Sequence, residues 1–325
     1  MPSNSFIALE SLEELCITSN PITEIEEHVF ESLLSLKTLN LSANSLEHLS
    51  PEVFVGLERL LQLDLNSNNL EKLSPVQFNY LVKLQYLDLS RNSLKFLNSS
   101  HFAGLTSLRK LFLYENNLTD IASNTFANLN VLDTLDLSGN SLEYLAIDTF
   151  GTNTMPRLRK LMLKTNNLKS LHPLAFSSLP FLQYLSLGNN ALTSLDVRMF
   201  APLRRLEKLH LGNNLLETIS PEVLEAFNDV SELLLDNNRL SFLPDANISF
   251  PNLYKVSLEG NPWECPCWDD MTKWLQDRKI SYVRPQSPYF KGQKPLCVVT
   301  PVDYCVKDIR LVRKYKIADI FFESG

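Results

Sequence analysis

The residues of this chain that could carry chemistry are few and scattered. Five histidines, His28, His48, His101, His172 and His210, stand far apart, and none belongs to a His-Glu-x-x-His zinc pattern. The chain has no Gly-x-Ser-x-Gly elbow and no glycine-rich phosphate loop. Asp64, Asp88 and Asp136 recur at matching positions of a repeat and could be read as paired carboxylates for acid–base work. No base, nucleophile or metal motif accompanies Asp64 and Asp88, so similar exposed residues on neighbouring units account for them better. The expectation is a protein without catalytic residues, metal or cofactor.

Cysteine chemistry is better placed. Cys16 stands alone, whereas Cys265, Cys267, Cys297 and Cys305 cluster near the end. Such a terminal cluster points to two disulfides and an oxidising compartment. Zinc is the rival, but structural zinc sites favour wider Cys knuckles than Cys-x-Cys, and no histidine is close by. Cys16 reads as an inert thiol, with a partner outside this segment as the other reading.

Composition narrows the field further. The chain has 325 residues, 44% hydrophobic, too apolar for a disordered segment. No apolar run reaches the roughly 18–20 residues needed to span a bilayer. A formal charge of -7 gives no general attraction to nucleic acid. The opening Met1-Pro2-Ser3-Asn4-Ser5-Phe6 is no signal peptide, which conflicts with the cysteine cluster.

The elements that must carry these residues are repeats. The pattern Leu-x-x-Leu-x-Leu-x-x-Asn-x-Leu-x-x-Leu, followed by Phe-x-x-Leu, fits Leu36, Leu39, Leu41, Asn44, Leu46, Leu49, Phe54 and Leu57. Its asparagine column reads Asn20, Asn44, Asn68, Asn92, Asn116, Asn140, Asn166, Asn190, Asn214, Asn238 and Asn261, at steps of 24 except one of 26 and a last of 23. An aromatic column runs from Phe30 through Phe200 and is closed by Leu224 and Ile248. Leu-x-Leu alternation makes a short strand, and the asparagine amide can pair with backbone groups that the turn leaves open. One unit cannot offset the entropy of ordering itself, so the units must stack, their strands forming one parallel sheet. The result is a curved α/β solenoid of eleven strand units with a strand-lined concave face.

These residues resemble the leucine-rich repeat family, in its 24-residue extracellular form, over essentially residues 1–263. The resemblance implies a horseshoe that recognises proteins, usually on the concave face. Phe6 and Leu9 match the second half of a repeat, so a signal peptide, a first cap and further repeats are expected upstream; a frayed cytosolic start is the alternative. The segment Asn261 to Leu275 resembles the cysteine-rich carboxyl-terminal cap of such proteins, with Trp268, Met271, Trp274 and Leu275 on one helix face. That resemblance implies the pairs Cys265–Cys297 and Cys267–Cys305, although the gap from Cys297 to Cys305 is shorter than usual for the family. The expected division is a solenoid over 1–261, a cap over 262–305 and a short, helix-compatible tail over 306–325.

Function would lie on the concave face. The column between the strand leucines reads Cys16, Asn40, Asp64, Asp88, Phe112, Asp136, Met162, Ser186, His210, Leu234 and Ser257. Phe112, Tyr114 and Met162 stand among Arg109, Lys110, Arg159, Lys160 and Lys164, the composition of a protein-binding hot spot. Scattered surface residues on a charged sheet are the plainer reading. Sequons at Asn40, Asn98, Asn117 and Asn247 permit glycosylation, but the Asn, Ser and Thr content predicts about as many by chance, so they are no support for secretion. A two-residue insertion at Gly151–Pro156 reads as a loop variation on the return side.

The chain is similar to arthropod extracellular members of the family: Toll-type receptor ectodomains, adhesion proteins and secreted leucine-rich immune proteins. The expectation is a secreted protein of innate immune recognition, or else the ectodomain of a membrane receptor or adhesion molecule. Its partner would be a protein ligand or co-receptor, with hetero- or homodimers open and nucleic acid not expected.

Overall fold

The computed structural model describes residues 1–3, 5–244, 250–282, 297–300 and 302–307. Eleven three-residue strands repeat down the chain, from Glu14–Cys16 through Lys110–Phe112, Thr134–Asp136 and Lys160–Met162 to Lys255–Ser257. All pair in parallel and in sequence order, with each central leucine against the next: Leu87 on Leu111, Leu111 on Leu135, Leu135 on Leu161. A twelfth strand, Ser281–Tyr282, adds to the edge beside Lys255–Ser257. It lies outside the repeat, and no periodic residue announces it. Two further two-stranded sheets, Phe96–Leu97 with Asp120–Ile121 and Tyr144–Leu145 with Ser170–Leu171, form beyond the turns.

The core is one continuous column. The central strand leucines from Leu39 onward and the return-side phenylalanines from Phe30 to Phe200 are buried. Rings of successive coils stack with centroids 5.8 to 6.2 Å apart. Strands in a sheet advance by only about 4.8 Å. The stacked rings are thus set more widely than the usual strand spacing. Leu224 is buried in the aromatic column, but the next ring on Phe200 is Phe227, edge-on at 4.9 Å. Ile248 lies outside the described residues.

The asparagine column ties coil to coil. Asn116 donates from Nδ2 to the carbonyls of Leu89 and Leu113 at 2.9 and 3.1 Å, and its Oδ1 accepts the Leu94 amide at 3.0 Å. Asn68, Asn92, Asn140, Asn166, Asn190, Asn214 and Asn238 repeat this bridge. The residue before each asparagine is left-handed in all eleven coils, yet only Gly139 and Gly260 are glycines there. Elsewhere Ser, Ala, Arg, Glu, Thr and Asn side chains accept that conformation to keep the turn. The insertion at Gly151–Pro156 leaves the strands undisturbed; Met155 is buried and its amide donates to the Ser178 carbonyl at 2.8 Å.

Past Asn261 the repeat gives way to a helix, Cys265–Asp277, that buries Cys267, Trp268, Met271 and Leu275. Trp274, placed on the same face by sequence, is only half-buried, and its ring meets Phe250 edge-on at 6.1 Å. Trp263 is buried against Trp268 and donates from Nε1 to the Leu258 carbonyl at 2.7 Å. Disulfides join Cys265 to Cys297 and Cys267 to Cys305. Of the expected tail, only Val306 and Lys307 fall within the described residues.

Candidate functional site

Every second residue of a strand points off the core, so the sheet presents three rows across the coils. The central row contains the three aspartates, and each has a local structural task. Asp64 Oδ1 accepts the Asn66 amide at 3.0 Å, Asp88 Oδ1 the Ser90 amide at 2.9 Å, and Asp136 Oδ1 the Ser138 amide at 2.9 Å. Asn40 does the same with Ser42. These side chains fix the turn after the strand by bonding two residues ahead. The expectation of exposed carboxylates is corrected here: Asp88 is only 5% exposed, and Asp64 and Asp136 are half-buried. Burial pushes the carboxyls of Asp64 and Asp136 above the ordinary value.

Phe112 sits at the centre of an aromatic group. Its ring lies 5.3 Å from Tyr86 on the preceding strand and 6.5 Å from Tyr114, edge-on. Tyr86 donates to Asp88 Oδ2 at 3.3 Å, and burial with the nearby aspartates raises its phenol pKa. Arg91 lies 5.9 Å over Tyr114 and pairs with Glu115 at 3.0 Å. Tyr86 and Arg91 escape a reading confined to the central row. Shifting by one repeat and two residues would have found Tyr86, because side chains in adjacent rows of one sheet touch.

Met162 does not join that group. The register runs Phe112, Asp136, Met162, so two strand spacings, about 10 Å, separate the two apolar side chains. Both are half-exposed. Lys110 and Lys160 flank them in the neighbouring row with Thr134 between, and Arg109, Arg159 and Lys164 are exposed around them. Arg159 pairs with Asp133 at 3.5 Å.

A second polar group lies further along the face. Glu232, buried, receives Lys255 at 2.5 Å, Lys208 at 3.5 Å and the His210 Nε2 at 3.3 Å. The Tyr184 hydroxyl meets His210 Nδ1 at 3.1 Å. Burial alone would raise the Glu232 pKa, but the Lys255 hydrogen bond and the surrounding positive charge bring it below the ordinary value. Burial lowers that of His210.

Other sequence-derived residues fall away from this surface or at its margin. Asn117 is exposed on a turn, while Asn98 caps a short 3-10 helix and accepts the Ser100 amide at 2.9 Å. Asn40 is half-buried on the sheet, and Asn247 lies outside the described residues. Cys16 is exposed with a free thiol. Glu27, His28 and Glu52 bring donor atoms within 4.8 Å of one another on the outer surface, brought together by the repeat step. All three are exposed, and exposed acidic groups gather this way without an ion.

Comparison with known proteins follows the same lines. The leucine rich repeat family pattern matches residues 10–70, 62–118, 82–142 and 156–216, more than half of the chain. This chain belongs to the leucine-rich repeat family. Among solved structures, the leucine-rich repeat chain is 28% identical to a chain of the Toll–Spatzle complex, a molecular hub in Drosophila development and innate immunity, with a TM-score of 0.77. That match covers 92% of this chain and 40% of the other. It is 26% identical to a chain of the TLR13–ssRNA13 complex, with a TM-score of 0.68, covering 86% of this chain and 45% of that one. The leucine-rich repeat domain of APL1B shares the fold at 21% identity and a TM-score of 0.68, over 92% of this chain and 90% of its own. Thus the leucine-rich repeat chain spans less than half the length of the Toll and TLR13 chains. A search of curated proteins finds no relative similar in sequence. Two disulfides fit an extracellular or lumenal compartment. No helix among the described residues is long and apolar enough to cross a membrane.

Proposed function

We propose that this chain is an extracellular leucine-rich repeat protein that binds a protein ligand or co-receptor on its concave strand face, in innate immune recognition. The observation that carries this reading is the pair Phe112 and Met162, half-exposed on the sheet among Arg109, Lys110, Arg159, Lys160 and Lys164. Apolar anchors ringed by cations have the composition of an interface centre. In this reading residues 1–261 present the surface and residues 262–305 seal its end. Likeness to a chain of the Toll–Spatzle complex supports the immune setting and a protein ligand. Secretion, glycosylation at Asn98 or Asn117, and hetero- or homodimer formation belong to the same proposal.

A second reading, the ectodomain of a membrane receptor or adhesion protein, has its own support. The Toll-complex chain to which this one is similar is more than twice as long as the shared part.

The test is a binding screen of the purified chain against a panel of purified extracellular proteins. For any partner found, the double variant Phe112→Ala/Met162→Ala is expected to weaken affinity by at least about tenfold, which corresponds to ~1.4 kcal/mol. Its melting temperature should match that of the parent chain, because both side chains stand off the core. Unaltered affinity would remove this patch as the binding site.

A further inference from the structure

Among the described residues, the lysines of the strand face away from Phe112 and Met162 each have a carboxylate partner. Lys37 pairs with Glu13 at 2.6 Å, and Lys208 and Lys255 both converge on Glu232. Arg109, Lys110, Lys160 and Lys164 break this pattern. All four are exposed, and among the described residues no ion pair engages them; in their group only Arg159 is held, by Asp133. Four uncompensated cations on one side of a chain whose formal charge is -7 make a positive island in a negative surround.

The island has a defined layout. Lys110 and Lys160 face each other across Thr134, and Phe112 and Met162 face each other across Asp136, in adjacent rows of the sheet. Each pair is two strand spacings apart, about 10 Å. Between the apolar pair lies the half-buried Asp136, whose Oδ1 is taken up by the Ser138 amide.

We propose that this island takes an acidic, extended polypeptide segment of a partner protein, with its carboxylates on Arg109, Lys110, Lys160 and Lys164 and an apolar side chain lodged between Phe112 and Met162. The proposal rests on the protein-binding reading above and adds the partner's chemistry. An extended chain in the polyproline II conformation advances about 3.1 Å per residue with three residues per turn, so acids three positions apart lie on one side and match the lysine spacing. Asp136 in the floor disfavours a uniform polyanion, which would carry negative charge straight over it. A polypeptide can instead turn a backbone N–H toward that carboxylate. The acidic coils before the island, with Asp64 and Asp88 in the same row, confine an acidic segment to the centre of the face.

The test uses the full chain, immobilised, as bait for a random peptide library displayed on phage, followed by anisotropy titration of the selected peptides. Enrichment of Asp and Glu around a large apolar residue is expected, with affinity falling steeply as salt is raised. Lys110→Glu/Lys160→Glu should weaken the best peptide by at least about tenfold, and so should Phe112→Ala/Met162→Ala. Peptides that are neutral or basic and ignore charge reversal, yet respond to Phe112→Ala/Met162→Ala, would overturn the acidic partner while leaving protein binding on this face standing. Peptides that ignore both double variants would place binding elsewhere and overturn both readings. No enrichment at all would overturn the segment proposal, the panel screen deciding separately on folded partners. Lys-dependent binding of single-stranded RNA or heparin more tightly than any acidic peptide would assign the island to a polyanion instead.

Discussion

At the scale of single residues, the ladder asparagines show how one side chain holds two coils. Asn116 satisfies two carbonyls and one amide that the turn leaves buried. Asn116→Ala removes the partner of all three groups. The cost expected is about 3 kcal/mol or more, since each buried unsatisfied group costs about 1–3 kcal/mol; a urea unfolding curve superimposable on the parent's would refute it. His101 gives a second residue-scale prediction. Its Nδ1 accepts the Asn98 amide at 3.3 Å, and burial holds its pKa below the ordinary imidazole value. The unfolded chain therefore takes up a proton before the folded one does as pH falls through about 6.5. Stability from this group is present above that pH and declines below it, toward the lowered folded value. His101→Gln keeps an acceptor without the titration, so its melting temperature should fall less than the parent's between about pH 7 and pH 5. His210 contributes the same sign to both proteins and cancels in the difference. Equal slopes would mean that His101 titrates alike in both states.

At the scale of elements, the end of the stack depends on the cap helix and its cross-links. All three tryptophans of the chain, Trp263, Trp268 and Trp274, lie in this region. Tryptophan fluorescence thus reports the cap, while far-ultraviolet circular dichroism is dominated by the coils. Cys267→Ser/Cys305→Ser opens a bridge spanning 38 residues at a buried position, with an expected loss of about 2–4 kcal/mol. The fluorescence transition should move to lower urea and run ahead of the dichroism transition. Coincident curves would show that cap and coils melt as one. The cap also marks where reading the sequence stops being enough. Trp268, Met271 and Leu275 were legible at helical spacing, and their burial follows from it. The strand Ser281–Tyr282 was not, because it obeys no repeat and gains its place by pairing with Lys255–Ser257. On the sheet face, legibility failed for a different reason. Asp88 reads as exposed from alternation alone, but the Tyr86 hydroxyl, two residues back on the same strand, bonds to it, and the register between coils sets Phe112 beside it.

At the scale of the whole molecule, the stack is a one-dimensional array in which each coil is stabilised by its neighbours. Leu39, Leu63, Leu87 and their counterparts are fully buried between two coils. In the first coil Leu12, Leu15, Ile17 and Ile22 are only half-buried, and the Asn44 Oδ1 finds no hydrogen-bond partner among the described residues. Amides around Glu14–Cys16 should exchange with solvent much faster than those around Lys110–Phe112 in native-state hydrogen exchange. Uniform protection from the first strand onward would show that the array opens as a single unit. The repeat, the leucine core and the asparagine column could be read directly, since all three recur at the same step. Specific neighbours such as Arg91 over Tyr114, or Lys208 and Lys255 on Glu232, occur once each and emerge only when the coils are laid side by side.

Apart from the paired Arg91 and Glu115, four of the left-handed positions before the ladder asparagines carry Ser19, Ala43, Ser67 and Thr165, side chains that resist that conformation. Each is a place where a change to glycine or asparagine can add up to about 1 kcal/mol without altering the core or the strands. A lineage exposed to warmer surroundings can therefore toughen the scaffold at its turn rims while its strand face drifts toward new ligands. Robustness and specificity are written in different columns of the same repeat, so selection can act on one and leave the other untouched.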